Sequence, residues 1–194
     1  NAGAITEAVK TKFPMENMLG VWWAGHDADL RIVGEDGKGY KSISWSFPNP
    51  DAPVMADIKT HVVDTGKTQS NAEEMSGVFY SRGIIISAIL AEGIRVAQEH
   101  TGNAEITAAD LRWGLENIDM TEERIAELGL DGMVPPFKTS CSDHTGKSGG
   151  WMLEWDGEKF VKVSDHLTPN TDAYTDLVAA KAKEYADANA PWPV

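Results

Sequence analysis

Apolar positions recur at Ile5, Val9 and Phe13, which predicts one face of a helix over residues 4–13 that Pro14 ends. The run Met18–Ala24 (MLGVWWA) reads as a short strand opening into GHDADL. Side chains alternate along a strand, so Trp22 and Trp23 are expected on opposite faces, one of them joining the core. Residues Tyr40–Phe47 alternate, with Tyr40, Ser42, Ser44 and Ser46 on one face and Lys41, Ile43, Trp45 and Phe47 on the other. That is a second strand, closed by the turn PNPDAP. Pro53 suits the first turn of a helix, whose inward stripe is Met55, Ile58 and Val62 and which Gly66 stops.

Residues 65–75 (TGKTQSNAEEM) are polar and read as a crossing or hinge segment. The next helix, about 76–100, is apolar on nearly every side through Ile84–Ile94, so its first half is expected to be buried all round. Thr107 and Asp110 form an N-terminal cap signal for ADLRWGLENI, and Thr121 begins a short helix ending near Gly129. After Pro135 the texture changes. Asp156-Gly157 sits between two alternating runs in GWMLEWDGEKFVKV (150–163), the strongest hairpin signal of the chain. A last helix over about 171–188 carries Tyr174, Leu177, Val178 and Tyr185 near one face. Helices alternating with isolated strands indicate α/β architecture with a terminal hairpin attached.

Composition narrows the partners. The 194 residues suffice for one sizeable core or two small lobes. The net charge is -13 and the 17 Lys and Arg residues are scattered. Nucleic acid and anionic membrane surfaces need clustered positive charge, so both are excluded as expected partners. The longest apolar stretch, Ile84–Ala91, is far shorter than the roughly 20 residues of a spanning helix. The chain begins at Asn1 within a helical pattern and shows no signal peptide, so its natural beginning is expected to have been removed.

Most chemical motifs fail on inspection. GKS at 146–148 lacks the glycine that a phosphate-binding loop needs five positions before its second glycine, where Cys141 stands. Cys141, Asp143 and His144 lack a second Cys/His pair for zinc, and His26, Asp27 and Asp29 are crowded within four residues. No metal and no cofactor is expected. No G-x-S-x-G elbow exists, and nothing brings Cys141 to His61, His100, His144 or His166. Cys141 is read as a small buried residue.

Two segments remain. One is the loop after Trp23, holding His26 and Asp27 just past a strand, where ligands of α/β proteins gather. The other is the entry to the greasy helix, Gly77-Val78-Phe79-Tyr80-Ser81-Arg82-Gly83. Together they offer an aromatic wall for an apolar body and charged groups for its ends. The plainer readings are a rim tryptophan, a capping Asp27 and a structural Arg82.

The ordered blocks GVWWAGHDADLR, GKGYKSISWSF, SGVFYSRGIIISAILAEGIRVAQEHTG, ITAADLRWGLENI and CSDHTGKSGGWMLEWDGEKFVKVSD resemble periplasmic type I solute-binding proteins. The subfamily resembled is the branched-chain amino-acid-type substrate-binding component of ABC importers. The resemblance implies two α/β lobes joined by three crossovers, and a family length about twice that of this chain. It implies the C-terminal half of that fold: parallel sheets flanked by helices plus a C-terminal β-hairpin. Residues 1–70 would belong to the second lobe and 71–135 to the first. Residues 136–169 would return to the second lobe with the hairpin, and 170–194 would form a C-terminal helix and tail.

The resemblance also assigns roles. The segment Trp23 to Asp27 corresponds to the one offering a group to a ligand's ammonium, with His26, Asp27 and Asp29 as alternatives. Phe79 and Tyr80 correspond to an aromatic wall. The ligand-binding set is thus Trp22, Trp23, His26, Asp27, Phe79, Tyr80 and Arg82, with Trp23 placed in the cleft and Arg82 meeting a carboxylate or bracing the loop. The implied protein is a periplasmic, non-enzymatic receptor for a branched-chain or aromatic amino acid or related acid, delivering to an ABC permease. A ligand-sensing regulatory domain of the same fold is the alternative, and an amidase or hydrolase the third. Apolar faces, notably along helix 78–96, are expected to be covered by a missing N-terminal half or by an oligomeric partner.

Overall fold

Helix α1 (Ala2–Lys10) turns its single apolar stripe inward, burying Ile5 with Ala8 and Val9 packed beside it. The computed structural model describes residues 1–146 and 149–189. A turn at Met15–Asn17 leads to strand β1 (Leu19–Gly20), which is only two residues long. The Tyr40 hydroxyl donates to the Ala24 carbonyl (3.0 Å) and Ser42 Oγ to the Val21 carbonyl (3.1 Å). These bonds curl Trp22–Ala24 into a 3₁₀ turn. The expected strand over 18–24 is therefore corrected: Trp22 and Trp23 do not take opposite faces, and neither enters the core. Gly20 permits this, since a Cβ there would stand 2.0 Å from the Tyr40 hydroxyl.

Helix α2 (Asp27–Arg31) and a 3₁₀ turn at Gly34–Gly37 lead into strand β2 (Lys41–Ser44). The alternation seen in the sequence is real, but the inward face is the serine one. Tyr40, Ser42, Ser44 and Ser46 are all buried, whereas Ile43 is exposed. Helix α3 (Pro53–Ile58) begins at Pro53 as expected and continues as a π turn over Lys59–Val63. Gly66, at φ 69°, follows in left-handed backbone.

A polar segment and helix α4 (Ala72–Met75) precede the long helix α5 (Val78–Thr101). The expectation that the first half of α5 is buried all round does not hold. Val78, Ser81, Arg82 and Ile85 face inward, while Phe79, Ile86 and Leu90 lie open, Ile86 at 57% exposure. Helix α6 (Ala108–Leu115) starts at the expected capping box: Asp110 N donates to Thr107 Oγ1 (3.2 Å) and Thr107 N to Asp110 Oδ2 (2.8 Å). It crosses α5 at a glycine pair, Gly93 and Gly114, where a Cβ on Gly114 would stand 2.1 Å from the Gly93 carbonyl oxygen.

Strand β3 (Asp119–Met120), helix α7 (Glu122–Glu127) capped by Thr121, and strand β4 (Phe137–Lys138) follow. Strands β5 (Trp151–Trp155) and β6 (Phe160–Lys162) form the expected hairpin. Its turn is closed by Asp156, whose Oδ1 accepts from the Glu158 and Lys159 amides, and by Gly157 at φ 111°. Helix α8 (Thr175–Ala188) ends the described chain, with Leu177, Val178 and Tyr185 all exposed.

The main sheet has the order β1-β2-β5-β6; β1 and β2 are parallel, and the other pairs antiparallel. Strands β3 and β4 pair separately. One core gathers Ile5, Leu30, Tyr40, Val78, Leu153, Trp155 and Phe160; another gathers Ala52, Ile85, Ile118, Met120, Leu130 and Met133. Helix α5 serves both, Val78 in the first and Ile85 in the second. Cys141 is exposed and free, which corrects its reading as a buried residue. The GKS motif falls on Lys147 and Ser148, outside the described residues, as do residues 190–194 of the tail.

Candidate functional site

The loop after β1 and the start of α5 meet, although Asp27 and Val78 lie 51 positions apart in the sequence. The connection is a cap. No side chain within the α5 turn itself caps the helix, and Asp27 Oδ2 accepts from Val78 N at 2.8 Å instead. Asp27 is only 3% exposed. A carboxylate at a helix N-terminus meets both an unbonded amide and the positive end of the helix dipole.

Above this joint four rings lie in contact. Trp22 and Trp23 stack with centroids 4.1 Å apart, and His26 stacks on Phe79 at 4.2 Å and 14°. Trp23 approaches Phe79 edge-on at 6.2 Å, joining the two pairs into a ledge. Trp23 is 60% exposed, so the ledge faces outward.

Arg82 lies beneath the ledge. Its guanidinium carbon is 5.0 Å from the Trp22 ring centre, 5.3 Å from Phe79 and 5.7 Å from Trp45, within cation–π range. Nε donates to Ser46 Oγ (3.1 Å), and Nη2 donates to Ser44 Oγ (3.1 Å) and to the Trp22 carbonyl (3.0 Å). This explains the inward serine face of β2: the serines accept from a guanidinium. Nη1 has no partner, the one such buried side-chain nitrogen or oxygen among the described residues. Burial lowers the Arg82 pKa to about 10 against the opposing pull of Asp27, so the side chain stays charged at neutral pH.

Phe79 also borders an open groove of about 760 Å³ between α3 and α5. Val54, Ile58 and Val62 form one wall; Tyr80, Gly83, Ile84, Ser87 and Ala88 form the other. None of these residues is charged, and the Tyr80 and Ser87 hydroxyls are the polar side-chain groups. Thus Trp22, Trp23, His26, Phe79 and Arg82 are brought together, Tyr80 lies along the adjoining groove, and Asp27 serves as the clasp beneath.

Sequence reasoning missed Ser44, Ser46 and Trp45. The alternation placed the serines on one face, but only Arg82, 36 residues beyond Ser46, decides that this face points inward. The remaining candidates do not assemble. His144 lies 3.2 Å from Glu116, His100 stacks on Trp113, and His166 meets Trp151 edge-on. Among the described residues no group of three or more His, Cys, Asp or Glu is placed to hold a metal, and no helix is long and apolar enough to cross a membrane.

This architecture is that of a type I periplasmic binding protein, of which the chain covers a part. Among solved structures, the chain is similar to one described as an ABC transporter permease from the Pseudomonas fluorescens group. They share 26% identity over 99% of this chain and 47% of the other, with a TM-score of 0.88. It is also similar to a branched-chain amino acid ABC transporter from Thermus thermophilus with bound valine, at 23% identity, 90% and 45% coverage, and a TM-score of 0.68. A possible leucine/isoleucine/valine-binding protein from Rhodopirellula baltica SH 1 matches at 18% identity, 84% and 39% coverage, and a TM-score of 0.55. The chain spans less than half the length of each of these structures. No family model and no curated protein matches it.

Proposed function

We propose that this chain works within an extracytoplasmic solute receptor, which captures a small amphipathic solute and presents it to an ABC permease without changing it chemically. The observation that carries the reading is the ring ledge of Trp22, Trp23, His26 and Phe79, open on one side and backed by a buried guanidinium. Rings that pack against one another at a surface, beside an apolar groove, give an apolar body a wall and a floor. Likeness to structures of branched-chain amino acid transport proteins, one holding valine, supports the same class of task.

In this reading residues 1–70 and 136–169 belong to one lobe and 71–135 to the other, with the start of α5 bonded across the join. Closure follows from a solute that contacts both, since a ligand shifts a conformational equilibrium only by its difference in affinity. The full-length protein is expected outside the cytoplasm.

Calorimetric titration of the full-length protein with amino acids and small organic acids tests the reading. Replacing Phe79 or Trp23 with alanine should weaken binding by about tenfold or more, the usual loss on removing a stacking ring. A solute bound equally well by the Trp23→Ala and Phe79→Ala variants sinks the assignment.

A further inference from the structure

The charges around the ledge point to a narrower class of solute. An amino acid needs an acceptor for its ammonium, and the carboxylate this chain places at the joint, Asp27, is already engaged. Asp27 is buried and caps α5 through Val78 N. The groove wall carries no carboxylate.

A cation is present instead, and it is incompletely bonded. Arg82 is 5% exposed, and three of its N–H bonds fix the guanidinium plane between Ser44, Ser46 and the Trp22 carbonyl. Its Nη1 is left without a partner, and the guanidinium carbon lies 5.0 Å from the Trp22 ring centre and 5.3 Å from that of Phe79. Buried donors are almost always satisfied, so one left open beside a binding surface calls for an acceptor that arrives later. A carboxylate oxygen is the complement a guanidinium selects. Bringing an ammonium to the same place would set it against a fixed positive charge whose nearby acid, Asp27, is already engaged by Val78 N.

We propose that the solute of this site is a hydrophobic monocarboxylate without an amino group, its apolar body on Phe79 and the adjoining groove, and its carboxylate received by Arg82 Nη1 as the Trp22 ring moves aside. The proposal rests on the solute-receptor reading and selects the solute class within it.

Four probes of one shape separate the possibilities: 4-methylpentanoate, its amide, leucine and isoamylamine, titrated calorimetrically into the full-length protein at pH 7. The acid should bind at least about tenfold more tightly than leucine and the amide, the effect of one charged hydrogen bond. The amine should bind most weakly, and acid binding should change tryptophan emission. Leucine or the amide binding as tightly as the acid overturns the proposal and leaves the receptor reading in place. If none of the four binds, or if binding is unmoved in Phe79→Ala, the receptor reading itself falls. An Arg82→Lys variant, checked first by circular dichroism, should weaken the acid and leave the amide unaffected; equal weakening of both counts against the carboxylate contact. Should that variant not fold, the four-probe comparison on the unaltered protein decides alone.

Discussion

Replacing Glu92 with glutamine should loosen the junction between α5 and α7 in a way that pH reports. Glu92 is 2% exposed, yet it meets two arginines. Arg95 donates from Nε (2.9 Å) and Nη2 (2.6 Å), and Arg124 from Nε (3.0 Å) and Nη2 (2.7 Å). Hydrogen bonds from Arg95, set against burial and helped by Arg124, hold the carboxyl from an ordinary 4.5 down to about 2. At 1.36 kcal/mol per pH unit the gap corresponds to about 3 kcal/mol of stability at neutral pH.

The sign follows from the direction of the shift. The folded pKa lies below the unfolded one, so the stabilisation is whole above about pH 5 and is lost as pH falls toward about 2. Removing one member of a buried ion cluster costs about 3–5 kcal/mol. Here the lower end applies, because Arg95 keeps Glu99 and Arg124 keeps Glu127. The assay is urea unfolding followed by tryptophan emission at pH 7, 5, 4 and 3, for the unaltered protein and Glu92→Gln. Glu116, Asp110, Glu123 and Asp156 also have lowered pKa values, so the quantity to read is the difference between the two proteins. It should be about 3 kcal/mol at pH 7 and shrink steadily below about pH 5. A difference that stays constant from pH 7 to 3, or that is under about 1 kcal/mol at pH 7, refutes the reasoning.

Three further outcomes are expected. Asp27→Ala should cost about 1–2 kcal/mol in thermal or urea unfolding by uncapping α5, and Asp27→Asn, which keeps an acceptor oxygen for Val78 N, distinctly less. Gly114→Ala should destabilise by about 1–3 kcal/mol or more, since its methyl group would press on the Gly93 carbonyl oxygen; a neutral result would mean that α5 and α6 part easily. Cys141 should react with a thiol reagent to one equivalent without denaturant, and slow labelling that urea accelerates would contradict its exposed position.

Local features of the fold were legible in the sequence because their causes are local. The Thr107–Asp110 box, Pro53 at a helix start and the Asp156-Gly157 turn each depend on residues within a few positions. What failed depends on distant groups. Two long-range bonds, from Tyr40 and Ser42, curl the tryptophans out of a strand. A guanidinium on α5 turns the polar edge of β2 inward. The apolar circumference of α5 did not reveal which of its sides this chain covers, and Cys141 followed position rather than the habit of its residue type. The seven proposed ligand residues came from type and order, but the stacking of His26 on Phe79 and the clasp from Asp27 to Val78 exist only in three dimensions.

Arg82 also reads the pairing of the sheet. A slip of β2 by one residue would exchange its faces and turn the Ser44 and Ser46 hydroxyls away from the guanidinium. The helix would then bury a cation that has lost two of its three acceptors. Only the sheet in register gives α5 its full seat, so the docking of one helix verifies the alignment of the strands.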